Sequence, residues 1–169
     1  APLIATEEYA DSYLTQSGII AETNKQRAEN NLLSLKENMK LNEAASAKVR
    51  DMFETQYFEH VSPAGKGPSD LVKNAGYDYL IIGENLALGN FEDDKKLVEV
   101  WMASLGHRAN LLNNKYVAIG VAVEKGIYEG KSVWMAIQEF GRPASDCPKV
   151  DAALKTKIDN YNIEIYNDY

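Results

Sequence analysis

The sequence predicts an α+β domain in which several helices precede an antiparallel β-hairpin. Through the first two thirds of the chain, apolar residues recur every three or four positions, which indicates amphipathic helices. From residue 117 onward the apolar residues alternate with a period of two, which indicates strands. Helical segments followed by a strand pair are typical of a domain that packs helices on an antiparallel sheet.

Three helices are predicted in the first half of the chain. The first begins near Ile19 and breaks at residues 30–31, an Asn-Asn pair. The second covers LNEAASAKVRDMFETQYF and ends near Gln56. Its apolar stripe consists of Leu41, Ala45, Val49, Met52 and Phe53. A short third helix opens at Pro68, a favoured first helical position, and closes at Gly76.

A fourth helix is predicted over residues 93–104, where Asp93 and Asp94 in the first turn complement the helix dipole. We expect Gly106 to end this helix and HRANLLN to follow as a turn. The apolar face of the helix includes Trp101, which we assign to the core together with Trp134 rather than to a ligand platform.

The period of two covers YVAIGVAVEK and SVWMAIQEF, and the polar segment GIYEG between them predicts a hairpin connection. GRPASDCP, residues 141–148, marks a boundary. After it comes a narrow apolar seam of Val150, Leu154, Ile158, Tyr161 and Ile165. This seam predicts an amphipathic C-terminal helix that covers the domain, connects to further chain or mediates self-association.

Composition excludes several classes of partner. The net charge of −7 argues against nucleic acid or an anionic membrane surface. No apolar run approaches the roughly 20 residues of a membrane span, so no transmembrane segment is predicted. The start APLIATEEY lacks the pattern of a secretory signal, which leaves a cytosolic or an already processed chain. The single Cys147 excludes an intrachain disulfide and is either a tolerated thiol or the site of an intermolecular disulfide.

Three polar clusters contain both histidines of the chain. YFEHVSPAGKG contains His60, IIGENLALG contains Glu84, and WMASLGHRANLL contains His107. Two imidazoles and a carboxylate suit Zn²⁺ or a similar divalent cation with an open coordination position. A structural interpretation is also open, in which Glu84 accepts backbone hydrogen bonds and the histidines cap helix ends.

The order of these clusters, between the helical segment TNKQRAENN and the strand ending in IQEFG, resembles a known family. It is similar to the CAP or SCP domain of cysteine-rich secretory proteins, antigen 5 and pathogenesis-related 1 proteins, in its bacterial-type branch. The resemblance covers residues 19–142, and leaves 1–18 as a leader or linker and 143–169 as a linker and C-terminal helix. It implies a three-layer α-β-α sandwich around a central, mainly antiparallel sheet.

The resemblance also implies a cleft lined by His60, Glu84 and His107, as ligands of a metal or as catalytic groups. Eukaryotic relatives have a second glutamate after the tryptophan of WMASLGHR, and this chain has none there. The usual proline before the glycine is replaced by Leu105. Further cleft candidates are Ser62, Asn85, Arg108 and Gln138. For Arg108 the alternative is a solvated surface charge, and for Gln138 an edge-strand polar residue.

The function we expect is a secreted or cell-surface binding module. Its ligand would be a divalent metal, a lipid, or a cell-envelope component such as glycan or peptide. One alternative is a metal-assisted hydrolase with Glu84 as base or ligand. Nucleophilic catalysis has little support, since Ser62 and Ser104 lie near histidines but no GxSxG elbow exists. A structural or adhesion domain is the third hypothesis.

Overall fold

A computed structural model describes residues 2–6, 8–148 and 152–167, without the side chains of residues 152 and 161–167. In the described residues, five helices and three strands precede the hairpin of the last two strands, and a sixth helix follows it. The strands are β1 (Leu3–Ile4), β2 (Lys36–Glu37), β3 (Tyr79–Leu88), β4 (Ala118–Tyr128) and β5 (Lys131–Pro143). The helices are α1 (Gln16–Glu29), α2 (Met39–Thr55), α3 (Pro68–Asn74), α4 (Asp94–Ala103), α5 (Leu105–Leu111) and α6 (Ala152–Asn167).

The five strands form one sheet in the order β1-β3-β5-β4-β2. The three long strands β3, β5 and β4 pair antiparallel, and the two-residue strands β1 and β2 pair parallel at the edges. The turn between β4 and β5 is Glu129-Gly130, both with positive φ, as the tight turn of a β-hairpin requires. The predicted, mainly antiparallel sheet and its hairpin are confirmed.

Helices cover both faces of the sheet, which confirms the three-layer sandwich. On one face α2 packs against β4 and β5, and its apolar stripe is buried with Leu86, Met135 and Ile137. On the other face α1, α4 and α5 enclose a second cluster around Trp101 and Phe140. Because side chains alternate along a strand, neighbouring residues of β3 and β5 reach opposite helical layers.

The structure corrects the prediction around His107. Ser104 has an extended backbone (φ −94°, ψ 124°) and ends α4 at Ala103. The segment predicted as a turn then forms α5, whose residues His107 and Leu111 are buried. The helix predicted over residues 93–104 matches α4, but the turn predicted for HRANLLN was wrong, because this segment is helical and buries Leu111 in the core.

β3 was not predicted as a strand, because its glycine has the signature of a turn. Gly83 lies inside β3, where an added Cβ would be 2.2 Å from Tyr116 Oη. The glycine therefore serves a close approach of the tyrosine ring rather than a change of chain direction. As a result Glu84 and Asn85 lie on a regular strand.

The two terminal segments differ in how they pack. Within residues 1–18, β1 pairs with β3, Leu14 is buried in the core, and Trp134 Nε1 donates to Ser12 O. By contrast, every side chain in residues 153–160 of α6 is exposed, including Leu154 and Ile158. The seam positions Val150, Tyr161 and Ile165 lie outside the described residues or side chains. None of the described helices is long and apolar enough to cross a membrane.

Substituting Gly120 by alanine should strongly destabilise the domain. An added Cβ would lie 2.1 Å from Leu41 C and 2.3 Å from Asn42 N, both backbone atoms of α2. Separating α2 from β4 should lower the free energy of unfolding by about 2 kcal/mol or more, as measured by urea denaturation. Gly106→Ala is the control, since nothing lies within 4 Å of its added Cβ. Equal urea midpoints for G120A and wild type would contradict the packing described.

Candidate functional site

The centre of the candidate site is a hydrogen bond between His60 and Glu84. His60 Nδ1 lies 2.7 Å from Glu84 Oε1. The Glu84 side chain is 2% exposed and the His60 side chain 36% exposed. A buried carboxylate that accepts from one ring nitrogen fixes the tautomer and orientation of an imidazole. His60 therefore presents its other nitrogen, Nε2, away from the carboxylate.

Lys48 of α2 is hydrogen-bonded to the loop that carries His60. This lysine lies on the sheet-facing side of α2 and is fully buried. Its Nζ donates to His60 O at 2.8 Å and to Tyr57 Oη at 3.3 Å. Ser62, a predicted cleft residue, is buried in the same loop and its Oγ accepts from the Lys66 amide at 3.1 Å. Ser62 therefore shapes the loop around His60.

His107 reaches the site from the first turn of α5. Its Nδ1 lies 2.7 Å from Ser104 Oγ, and Ser104 makes no side-chain cap bond to the helix it precedes. Burial lowers the pKa of His107, so the neutral imidazole is favoured near neutral pH. Both histidines thus have Nδ1 engaged by a protein oxygen, which leaves Nε2 for a ligand.

Amide side chains tie α5 to the sheet beneath the site. Asn85 Nδ2 donates to His107 O at 3.2 Å and to Gln138 Oε1 at 3.1 Å. Asn110 Nδ2 donates to Glu84 O at 3.0 Å and to Asn85 Oδ1 at 2.9 Å. Gln138 Nε2 continues the network to Thr23 Oγ1 of α1 at 2.7 Å. A buried network whose members all have partners holds its groups in one geometry.

These residues surround an open cleft of about 280 Å³. Its lining is polar throughout apart from one glycine: His60, Glu84, Asn85, Ser104, Gly106, His107 and Asn110. Of the predicted candidates, the structure brings together His60, Glu84, Asn85 and His107. Gln138 lies fully buried behind the cleft, and Arg108 is exposed outside its lining.

Two charged residues next to the cleft were missed, although the sequence contains a signal for each. Glu139 follows Met135 and Ile137 in the period of two, so it belongs on the buried face of β5. Lys48 is three residues from Ala45 and four from Met52, within the apolar stripe of α2. Both are fully buried, and Glu139 pairs directly across the sheet with Glu84.

Burial and neighbouring charges shift the pKa values of Glu139 and Lys48. Burial, and then the charge of Glu84, raise the pKa of Glu139 well above its ordinary value. Burial lowers the pKa of Lys48, and the neighbouring carboxylates, Glu84 foremost, oppose that effect. The polar groups under the cleft are therefore electrostatically coupled.

The expected zinc ligands do not supply three free donor atoms in this arrangement. A catalytic zinc site commonly has three protein ligands turned toward one point. Here Glu84 Oε1 is engaged by His60 and Glu84 Oε2 is buried away from solvent, so only the two Nε2 atoms remain for a ligand. Among the described residues, no group of three or more His, Cys, Asp or Glu side chains could hold a metal ion. The residues therefore do not fit a three-ligand zinc site.

The sequence matches a known protein family over most of its length. The family model described as CAP, the cysteine-rich secretory protein family, matches residues 20–140. YkwD, an uncharacterized protein of Bacillus subtilis, is 37% identical over 116 residues, which are 69% of this chain and 43% of YkwD. The chain thus spans less than half the length of that relative.

Solved structures show the same fold. An extracellular protein containing a SCP domain from Bacillus anthracis has a TM-score of 0.64 at 29% identity, over 75% of this chain and 40% of that protein. An outer surface protein of Borrelia burgdorferi also has a TM-score of 0.64, at 21% identity over 74% of this chain and 90% of its own. The second similarity bears on the fold alone.

The buried, neutral state of His107 predicts an acid-sensitive contribution to stability. Its pKa is lowered in the folded protein, whereas an unfolded histidine titrates near about 6.5. The unfolded state therefore binds more protons below that pH, and stability is lost as pH falls through it. The difference in free energy of unfolding between wild type and His107→Gln should shrink between pH 7.5 and pH 5. A difference that stays constant over this range would contradict the buried state.

Proposed function

The chain belongs to the CAP family of cysteine-rich secretory proteins, and on this premise we propose that it is a binding module for a polar cell-envelope ligand. The ligand class is a glycan or peptide group that hydrogen-bonds to the two histidines. We further propose that the domain works outside the cell or on its surface. In support, the B. anthracis protein of the same fold is described as an extracellular protein.

The observation that carries the proposal is the lining of the cleft. No aliphatic, Phe, Tyr or Trp side chain contributes to the described lining. An acyl chain buries apolar surface and needs apolar walls. Apolar side chains occur instead in a separate cavity of about 720 Å³, whose mixed lining includes Leu32, Leu33 and Val117 beside charged residues such as Lys36. The geometry therefore favours a polar ligand over a lipid in the histidine cleft.

The two histidines provide complementary hydrogen-bonding positions for such a ligand. With Nδ1–H donating to Glu84, His60 Nε2 is an acceptor for a ligand N–H or O–H group. His107 is held in place at Nδ1 by Ser104 and at its carbonyl by Asn85. The neutral imidazole then offers Nε2 as donor or acceptor, depending on its tautomer.

Binding has more support than turnover. Ser104 has the only hydroxyl group in the described lining, and its Oγ is hydrogen-bonded to His107 Nδ1. The amide donors of Asn85 and Asn110 already bond to protein acceptors. A hydrolase needs donors preorganised for the developing negative charge, and these two amides are committed elsewhere.

A purely structural role explains His60 less well. More than a third of its side chain is exposed, and its ring is hydrogen-bonded to a carboxylate that is itself almost completely buried. Keeping a charged carboxylate in the interior costs free energy. That arrangement is more useful for orienting a ligand-binding imidazole than for closing a loop.

We expect soluble glycan–peptide fragments of bacterial cell wall to perturb the amide resonances around His60, Glu84 and His107 in NMR titrations. The double variant His60→Ala/His107→Ala should lose at least tenfold in affinity, because both ligand-facing nitrogens are removed. Retained amide dispersion would show that the double variant is folded. Arg108→Ala is the matched control, since Arg108 lies beside His107 but outside the lining.

Parallel titrations separate the alternatives. Zn²⁺ binding to metal-stripped protein at or below micromolar Kd, lost in the double variant, would replace the proposed ligand by a divalent cation. Fragment hydrolysis by the wild type alone would replace binding by catalysis. Fragments that perturb no cleft resonance would overturn the proposal, as would a double variant that binds them as well as wild type.

A further inference from the structure

We propose that Glu139 is a neutral, protonated carboxyl group that donates a hydrogen bond to Glu84, and that it thereby positions Glu84 toward His60. This assigns a positioning residue in β5 to the candidate cleft. The protonation follows from contacts within the fold, and only its consequence for ligand binding rests on the proposed function.

The geometry brings the two carboxyl groups together. Glu84 and Glu139 are direct partners in the antiparallel pairing of β3 and β5. Directly opposite residues on one face of such a pair have Cβ atoms about 4.5–5.5 Å apart. Both side chains point toward the α2 layer, and both are buried. The sheet therefore fixes two carboxyl groups side by side in the interior.

Their hydrogen bonding is incomplete if both are ionised. Glu84 Oε2, Glu139 Oε1 and Glu139 Oε2 are buried, and no donor in the described residues reaches any of them. A buried polar atom without a partner costs about 1–3 kcal/mol, and more when it is charged. One proton on Glu139, directed at Glu84 Oε2, gives partners to two of these three oxygens. Glu84 then accepts from His60 at Oε1 and from Glu139 at Oε2.

Lys48 does not remove the need for this proton. Its Nζ donates to His60 O and Tyr57 Oη, and it forms no ion pair within 4.0 Å of either carboxyl group in the described part of the chain. One buried ammonium group opposite two buried carboxylates also leaves a net negative charge. With Glu139 neutral, the charges of Lys48 and Glu84 balance.

The surrounding charges agree with this assignment. Two like charges that share a buried site do not both ionise readily, so the pair retains one proton. Burial and the charge of Glu84 raise the pKa of Glu139, while Lys48 lowers it by less. The titratable groups coupled to this cluster from the neighbouring elements are Asp51, Tyr57, Glu59, His60 and Tyr116.

For the cleft, the consequence is that a chain of hydrogen bonds from Glu139 through Glu84 fixes the orientation of the His60 ring. Glu139 donates to Glu84, Glu84 accepts from His60 Nδ1–H, and His60 Nε2 faces the ligand. Removing the Glu139 donor would leave Glu84 Oε2 buried without a partner and free Glu84 to rotate away from His60. Glutamine at 139 would preserve the donor, because its amide N–H can replace the carboxyl O–H.

Infrared spectroscopy tests the protonation directly. At pH 7 the wild type should show the C=O stretch of a protonated carboxyl group, separate from the carboxylate bands. Glu139→Gln should lose this band, and Glu54→Gln, an exposed control on α2, should keep it. Absence of the band in wild type, or its persistence in E139Q, would overturn the proposal whatever the ligand experiments show.

The positioning role is tested by comparing two substitutions at residue 139. E139Q should bind cell-wall fragments like wild type, and Glu139→Ala should bind them about tenfold more weakly. Equal affinity of the two variants would refute the positioning role. If wild type binds no fragment, the proposed function fails while the infrared result still decides the protonation.

The pH dependence of stability gives an independent check. The pKa of Glu139 is raised in the folded protein, whereas an unfolded glutamate titrates near about 4.3. Its stabilising contribution is present below that pH and is lost as pH rises toward the folded value. The urea midpoint of E139Q should therefore rise relative to wild type between pH 4.5 and pH 8. A constant offset over this range would contradict the neutral carboxyl group.

Discussion

The antiparallel pairing of β3 with β5 is the constraint on which the rest of the site depends. Two successive cross-strand pairs in it, Glu84–Glu139 and Asn85–Gln138, are fully polar. Because neighbouring residues on a strand point to opposite faces, the acidic pair enters the α2 layer and the amide pair enters the α1–α5 layer. These two pairs thus connect the sheet to both helical layers at the cleft. A shift of register by one residue would place the acidic side chains in the α1–α5 layer and the amide side chains in the α2 layer.

The amide pair and Lys48 are tolerated in the interior because each has specific hydrogen-bond partners. The amide pair is bonded to Thr23, His107 and Asn110, which secures α1 and α5. Lys48 secures the loop of His60 from the α2 side. Such networks cost free energy if any member is removed, but they define one geometry. The cleft residues come from segments rich in Gly, Ser and Asn, and the buried hydrogen bonds hold them in fixed positions.

Much of the fold could be predicted from the sequence, since the stripe of α2 and the alternation in β4 and β5 each match one period. The failures have physical causes. Gly83 resembles a turn signal but serves the close approach of Tyr116, and the extended backbone of Ser104 is invisible to periodicity. His60, Glu84 and His107 were placed through the family resemblance. Glu139 lies in the segment IQEFG but was missed, because only its alternation with Met135 and Ile137 on one face of the strand indicates that it is buried.

The tautomer of His60 tests the central claim most directly, because it reports whether Glu84 orients the imidazole in solution. Long-range ¹H–¹⁵N NMR spectra distinguish the two neutral tautomers, and a chain with two histidines gives few signals to assign. We predict that neutral His60 carries its proton on Nδ1 and that Glu84→Ala, which removes the acceptor, abolishes this preference. A proton on Nε2 in the wild type, or a tautomer unchanged by Glu84→Ala, would contradict the account.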